Sequence, residues 1–536
     1  MRQYGIFLAY APVVDLRKEG LGRHLAYFLK GAAELPDVRF VVACPSWGRV
    51  AVEQLCASEG IATDHFDFLS PASTPLSLRV YDALKKRRAA KRGGFVRRAV
   101  LYAWHKLSGG RIRSERRLVS TRSVLLAGCL SLLIAAIGLL MYLLTLASKL
   151  TRWTSRCSKA VFGWMRAKLV ENILQLPAGA PFSRYYQLLI DAEVDLLISL
   201  INERTDISAW YCPTSFWPEF NRIRAPRLMC VPDFVIADFP TGFELRAGPG
   251  LYPSFVRLQK AIQGATDFVT YSDMVKNQVV VGRFGRPPNA VRVVPHAVNG
   301  LLDSISVAGT SDERRATDAF SRTLLRRALL KAQTPYASGF QNEAVKFIFY
   351  ASQLRANKNV ITLLRAYAHL LRKRYFGAKL LLTGRLQEAP EIDNFIAENR
   401  LSHDVLCLPG LSVQELAACY RLAQVAVCPS LSEGGFPFTF TEAMSVGTPA
   451  VLARIPVTED VVTDPALNSM MLFDGFDWHD MAERIEWAME HREELAARQK
   501  QLYDRLAQRS WRDVAADYVV ILDELASADR PAARRS

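Results

Sequence analysis

The stretch SEGGFPFTFTEAMSVGTPAV, Ser432 to Val451, holds two carboxylates, Glu433 and Glu442, eight residues apart by intervening count. They stand in an otherwise uncharged run of glycines, prolines, aromatics and small residues. An unpaired carboxylate in such apolar company is costly to bury, so these two need partners. Carboxylates accept hydrogen bonds, and the vicinal hydroxyls of a sugar or ribose are suitable donors. Upstream, SQLRANKN (Ser352 to Asn359) places Arg355 and Lys358 between a strand-like run and a helix-like one. Two cations at a helix N-terminus suit a pyrophosphate. Near the start of the chain, EGLGRH (Glu19 to His24) brings Gly20, Gly22, Arg23 and His24 to a similar strand-to-helix turn.

The elements that must position these residues alternate along the chain. Short apolar runs (YGIFLAYAP, RFVVACPS, ISAWYCP, RLMCVPD, DFVTYS, VRVVPHAV) are separated by amphipathic stretches, the pattern of a parallel α/β sheet. A second series follows: VKFIFYASQ, LLLTG, DVLCLPG, VAVCPS and PAVLAR. Its helix from Val360 repeats apolar residues at Val360, Leu363, Leu364, Tyr367, Leu370 and Leu371. The residues between Asp303 and Asn342 turn polar, as a linker would. The expected organisation is an N-terminal Rossmann-like domain over 1–302, a linker over 303–342 and a C-terminal Rossmann-like domain over 343–508. A terminal helix over 509–536 would pack back toward the first domain. Two such halves leave a cleft between the carboxyl ends of their sheets, where ligands bind. The motif around Glu442 is expected to start a helix near Phe440, with Glu442 in its first turn.

At 536 residues the chain exceeds what one core supports. Its net charge of +16 is concentrated: Lys85 to Lys168 holds twenty basic residues against Glu115, a net of +19, leaving about −3 for the rest. Nine scattered cysteines with no C-x-x-C argue against a disulfide framework or a zinc site and for a reducing cytoplasmic setting. MRQYGIFLAYAP is too short an apolar run for a secretory leader.

Inside the basic segment, Val124 to Ala147 runs 24 residues without a charge, long enough for a bilayer. Basic clusters flank it on both sides, so no orientation follows. The sequence on either side belongs to one domain, and a single crossing would divide that domain. The expectation is therefore a membrane-associating insertion, about 83–170, that dips into one leaflet or lies along it without crossing, with a buried helix at an oligomer interface as the alternative. Val124, Leu132, Leu139 and Leu144 would face lipid, and the basic residues anionic headgroups. No nucleic-acid motif is present.

Taken together, FIFYASQLRANKN, LLLTG, LPGLSVQELAACYRLA, VCPSLSEGGFPFTFTEAMSVGTPAV and RSWRDVAADY resemble glycosyltransferase family 4, retaining sugar transferases of the GT-B fold. EGLGRH, VPDFVIADFP, TYSD and VVPHAVN resemble its N-terminal domain more loosely. The resemblance implies that Glu433 faces the donor sugar and Glu442 holds the nucleotide ribose. It implies that Arg355 and Lys358 grip the donor diphosphate, and that Gly434, Gly435, Phe436, Pro437 and Thr439 belong to the donor loop. Gly20, Gly22, Arg23, His24 and Asp233 would form the acceptor and phosphate side. This chain departs from the family pattern in three ways. Eight residues separate the glutamates where seven are usual, Gln353 stands where an arginine is usual, and Pro232 precedes Asp233 where a histidine is frequent.

The reaction so implied transfers a sugar from a nucleotide-diphosphate donor to a lipid-linked or polysaccharide acceptor, at the cytoplasmic face of the inner membrane. No Asp-x-Asp occurs in the chain, which suits a transferase that meets leaving-group charge with Arg, Lys and a helix dipole and needs no metal or other cofactor. Two alternatives stand beside it: a nucleotide-sugar epimerase of the same architecture, and a membrane scaffold keeping a degenerate transferase fold.

Overall fold

The computed structural model describes residues 1–12, 14, 16, 20–75, 114, 125, 126, 128–141, 180–247, 251–332, 335–340 and 345–528. Two compact units are distinguished, one formed by Met1–Pro71 with Val194–Ser536 and the other by Ala72–Glu193.

The first unit contains two parallel sheets. The N-terminal sheet is built from β1 (Arg2–Phe7), β2 (Val38–Ala43), β3 (Phe66–Leu69), β4 (Ala209–Cys212), β5 (Arg227–Cys230), β6 (Phe268–Thr270) and β7 (Val291–Val293). Its strand order is β3-β2-β1-β4-β5-β6-β7, and every pairing is parallel. The C-terminal sheet holds β8 (Lys346–Tyr350), β9 (Ala378–Leu382), β10 (Val405–Cys407), β11 (Val425–Cys428), β12 (Ala450–Ala453) and β13 (Leu472–Phe473). Its order is β10-β9-β8-β11-β12-β13, again all parallel. Strand order reverses direction between β1 and β4 in one sheet and between β8 and β11 in the other. These switch points open the crevices into which the following loops project.

The strands are apolar on both faces because helices cover both. Phe347, Ile348, Phe349 and Tyr350 of β8 are all buried, as are Val425, Ala426, Val427 and Cys428 of β11. The helix Val360–Lys373 buries Val360, Leu363, Leu364, Tyr367 and Leu370 on one face. Leu371 packs against the core while staying partly exposed.

The polar stretch after Asp303 is more than a connector. Its residues Glu313–Lys331 form a helix, capped by the Asp312 side chain accepting from the Arg315 amide at 2.9 Å. Its buried residues are Thr317, Ser321, Leu324, Ala328 and Leu329, and the hydroxylic Thr317 and Ser321 mask the apolar period in the sequence. Ser321 Oγ satisfies itself by donating to the Thr317 carbonyl at 2.8 Å. The helix Trp511–Ala528 lies on the N-terminal sheet side, against the helix Gly20–Ala33. Gly31 makes this approach possible, since a Cβ there would fall 2.1 Å from the Trp511 carbonyl oxygen. Tyr27 stacks on Trp511 with ring centroids 5.5 Å apart.

In the second unit, Leu132 and Leu139 lie on the described helical residues 128–141 and are 73% and 61% exposed. Val124 and Leu144 lie outside the described residues, as does most of the basic segment. No described helix is long and apolar enough to cross a membrane.

Candidate active site

The loops after β8 and β11 meet at the C-terminal switch point. The Leu431 amide donates to the Asn357 carbonyl at 2.8 Å, and Asn357 Nδ2 donates to the Ser432 carbonyl at 3.2 Å. Asn359 takes the left-handed conformation (φ 55°) and ties its side chain to the Gly475 carbonyl at 2.7 Å. This conformation, which asparagine tolerates, turns the chain from the short helical turn Ala356–Lys358 into the helix Val360–Lys373.

Stitched in this way, the two loops place Lys358 Nζ in an ion pair with Glu433 Oε1, the side chains being 20% and 23% exposed. Asp233, after β5, faces the same pair together with Arg355. Burial raises the Asp233 carboxyl above its ordinary value and the charge of Glu433 adds to this, while its bond from the Val235 amide, Lys358 and Arg355 pull the other way. Sequence-predicted Glu433, Lys358, Arg355 and Asp233 therefore form one cluster.

The glycines beside Glu433 have a reason that the sequence alone did not supply. A Cβ on Gly434 would fall 1.5 Å from the Pro232 carbonyl oxygen, and one on Gly435 would lie 3.0 Å from the His296 ring. Ser272 Oγ donates to the Gly434 carbonyl at 2.8 Å. These residues bring the loops of the N-terminal sheet into contact with the loop after β11, so bare backbone is required at Gly434.

The helix that follows runs Phe438–Ser445, starting two residues earlier than the sequence implies. Pro437 is its N-cap residue, and Glu442 accordingly lies in the second turn. A helix-dipole role is thereby removed, because no acid occupies the first turn. Instead, Glu442 is 3% exposed and accepts from Arg23 Nη2 at 2.5 Å, with Arg23 28% exposed. The Glu442 carboxylate raises the Arg23 guanidinium above its usual range. Thr439 is buried in the same helix, and Phe436 stacks edge-on against Phe440 at 5.4 Å.

Arg23 projects from the helix Gly20–Ala33, which follows β1 at the other switch point. Its two glycines differ. A Cβ on Gly22 would meet the Leu16 carbonyl oxygen at 1.9 Å, whereas Gly20 has open space. Gly22 thus answers a close backbone approach within the chain, and Glu19 lies outside the described residues. His24 turns inward, 3% exposed, and neither ring nitrogen has a hydrogen-bond partner. Its ring centroid lies 4.9 Å from Tyr271, 5.0 Å from His296 and 5.3 Å from Trp511. Burial pushes the His24 imidazole down to about 3. His296 is also held well below its ordinary value, by burial first and then by His24 and Arg509.

Tyr271 and His296 lie in TYSD and VVPHAVN, where the motifs alone assign them no role. The available signal was position: both follow strands of the N-terminal sheet, at its carboxyl edge. They also line a cavity of about 220 Å³ with Phe436, Phe438 and Thr441. Among the described residues, no group of three or more His, Cys, Asp or Glu side chains is placed to hold a metal.

Residues 337–505 match the family Glycosyl transferases group 1. A D-inositol 3-phosphate glycosyltransferase of Mycolicibacterium smegmatis is 31% identical over 201 residues, which are 36% of this chain and 44% of that protein. An MMP alpha-(1->4)-mannosyltransferase of Mycolicibacterium hassiacum is 40% identical over 105 residues, 20% of this chain and 25% of that protein. The chain thus spans less than half the length of these curated relatives. Anabaena HepE, solved in complex with UDP, shares the fold with a TM-score of 0.51 at 12% identity, over 98% of this chain and 100% of that one.

Proposed function

We propose, from the premise that residues 337–505 belong to the Glycosyl transferases group 1 family, that this chain is a retaining glycosyltransferase. It would move a sugar from a nucleotide-diphosphate donor to a membrane-associated lipid-linked or polysaccharide acceptor. The observation that carries this reading is the Lys358–Glu433 pair at the β8/β11 switch point, with Arg355 and Asp233 beside it.

When the glycosidic bond to the donor breaks, negative charge grows on the leaving diphosphate. Cations already held at that point stabilise it with little reorganisation. Lys358 would exchange Glu433 for a diphosphate oxygen, freeing Glu433 toward the sugar. Glu442, fixed by Arg23 through Oε1, would offer its carboxylate to ribose hydroxyls. Meeting of the two domains at Gly434 and Ser272 would exclude water and so limit hydrolysis. The reaction asks for no metal and no other cofactor on this reading. Its place is the cytoplasmic face of the inner membrane, supported by the basic segment and by the exposed leucines of 128–141.

Incubation with a panel of nucleotide sugars, with and without membrane lipid extracts, tests the proposal. Expected is acceptor-dependent transfer that Lys358→Ala and Glu442→Ala abolish. Donor epimerisation without transfer, or a folded but inert wild type across the panel, would replace it. Deletion of Val124 to Ala147 should release the protein from liposomes, and retention by the folded deletion variant would remove the membrane assignment.

A further inference from the structure

A second concave site lies at the opposite edge of the C-terminal sheet. It is a cavity of about 380 Å³, within the range of small-molecule pockets. Its walls come from the helix Glu313–Lys331, the amino ends of β8 and β11, and the start of the helix Arg492–Ala507. The Lys358–Glu433 pair stands beyond the carboxyl ends of the same strands. Strands of four and five residues at about 3.3 Å per residue separate the two sites by roughly 15 Å.

The charge of this cavity is one-sided. Arg314, Arg322, Arg326, Lys346, Arg421 and Arg492 line it, and among its described lining residues Asp318 is the single acid. Arg421 Nε donates to Asp318 at 2.7 Å and its Nη1 to the Val446 carbonyl at 2.8 Å. Arg492 Nε donates to the Gln424 carbonyl at 2.9 Å. These bonds fix two guanidinium planes while using two and one of their five donors. Arg314, Asp318, Arg322 and Arg326 recur every fourth residue, so one helix face presents them together. Burial lowers the Arg492 guanidinium below its ordinary value, and the like charges of Arg421 and Arg314 lower it further. Leu325, Phe340 and Phe347 add an apolar wall.

We propose that this cavity is a binding site for a phosphorylated organic ligand, distinct from the donor site, with its phosphate groups on the arginines and its carbon skeleton on the apolar wall. Arginine forks match phosphate oxygens two at a time, and a predominantly basic cavity concentrates anions. The phosphate could belong to a soluble metabolite or to a lipid headgroup. This inference does not depend on the transferase reading.

The test is calorimetric titration of inorganic pyrophosphate into the full chain, beside Lys358→Ala, Arg322→Glu and Lys346→Glu, with circular dichroism confirming the fold. Lys358→Ala is expected to keep one class of pyrophosphate site. Arg322→Glu and Lys346→Glu, each at the rim, should weaken that class by about tenfold or more, the equivalent of one charge-assisted contact. Cosedimentation with phosphatidylcholine vesicles, with and without phosphatidic acid, separates the sources. Binding to phosphatidic acid that falls in Arg322→Glu and is displaced by pyrophosphate assigns a headgroup. Vesicle binding indifferent to both, with pyrophosphate binding still sensitive to Arg322→Glu, assigns a soluble ligand. Pyrophosphate binding unchanged in both rim variants, or wholly lost in Lys358→Ala, overturns the proposal.

Discussion

Arg23 and Glu442, 419 positions apart in sequence, form an ion pair of 2.5 Å that joins the helix after β1 to the helix after β11. With Glu442 nearly inaccessible, removing Arg23 alone strands a buried carboxylate. Arg23→Ala should therefore destabilise the protein by about 2–4 kcal/mol, measured by urea unfolding. Adding Glu442→Gln should recover part of that loss, giving a coupling energy of about 1–3 kcal/mol in a double-mutant cycle. Additive effects of the two changes would mean that the pair contributes nothing specific.

Two glycines separate a contact requirement from a mere turn. Gly434→Ala forces a methyl group into the Pro232 carbonyl, so the loop bearing Glu433 must shift. A displacement of that order costs about a hundredfold in kcat/KM when it moves a reacting group. Gly20→Ala meets open space at the first position of its helix, so its stability should change by less than about 0.5 kcal/mol. Equal behaviour of the two variants would contradict the contact assigned to Gly434.

The parallel sheets were legible because their strands are buried on both faces and read as continuous apolar runs, as in Phe347 to Tyr350. The helix from Val360 was legible through its period. Less could be read where buried hydroxyls find backbone partners: Ser321 donates to the Thr317 carbonyl and Thr317 accepts from the Val307 amide, so the helix Glu313–Lys331 has a partly polar inner stripe. The residues around Glu433 and Lys358 could be named from motif and spacing. Their neighbours across the domain junction could not, because Pro232 against Gly434, or His296 against Gly435, are contacts between elements far apart in the chain. Glu442 shows the same limit. Its partner Arg23 had been identified, but nothing in the sequence paired them.

The buried histidines set a pH dependence. His24 titrates near 6.5 when unfolded and at about 3 in the folded chain. Between these values the unfolded state binds the additional proton, so stability rises with pH and is lost as pH falls from 6.5 toward 3. One proton corresponds to about 1.4 kcal/mol per pH unit. His24→Phe should flatten the stability profile between pH 6 and 4 by up to that slope. Asp233, raised mainly by burial, acts with the opposite sign: its contribution is lost as pH rises through its folded value. Its contribution is common to both proteins and drops out of the comparison. An unchanged slope in His24→Phe would place the acid sensitivity elsewhere.

Lys358 and Glu433 make the sharpest separation between binding and chemistry. Lys358→Met removes a cation that would meet the leaving diphosphate, and it leaves Glu433 beside Asp233 without its ion-pair partner. Loss of one such stabilising group lowers kcat by about a hundredfold to a thousandfold. Glu433→Gln keeps the shape of the pair and leaves Lys358 with its full charge for the diphosphate. Binding of donor should then be held or tightened while kcat falls, a pattern that separates a group acting on the sugar from one holding the donor. Steady-state kinetics with a fixed acceptor distinguish the outcomes. Should Glu433→Gln raise KM and leave kcat intact, Glu433 would be a donor-binding residue and its place opposite the sugar would be withdrawn.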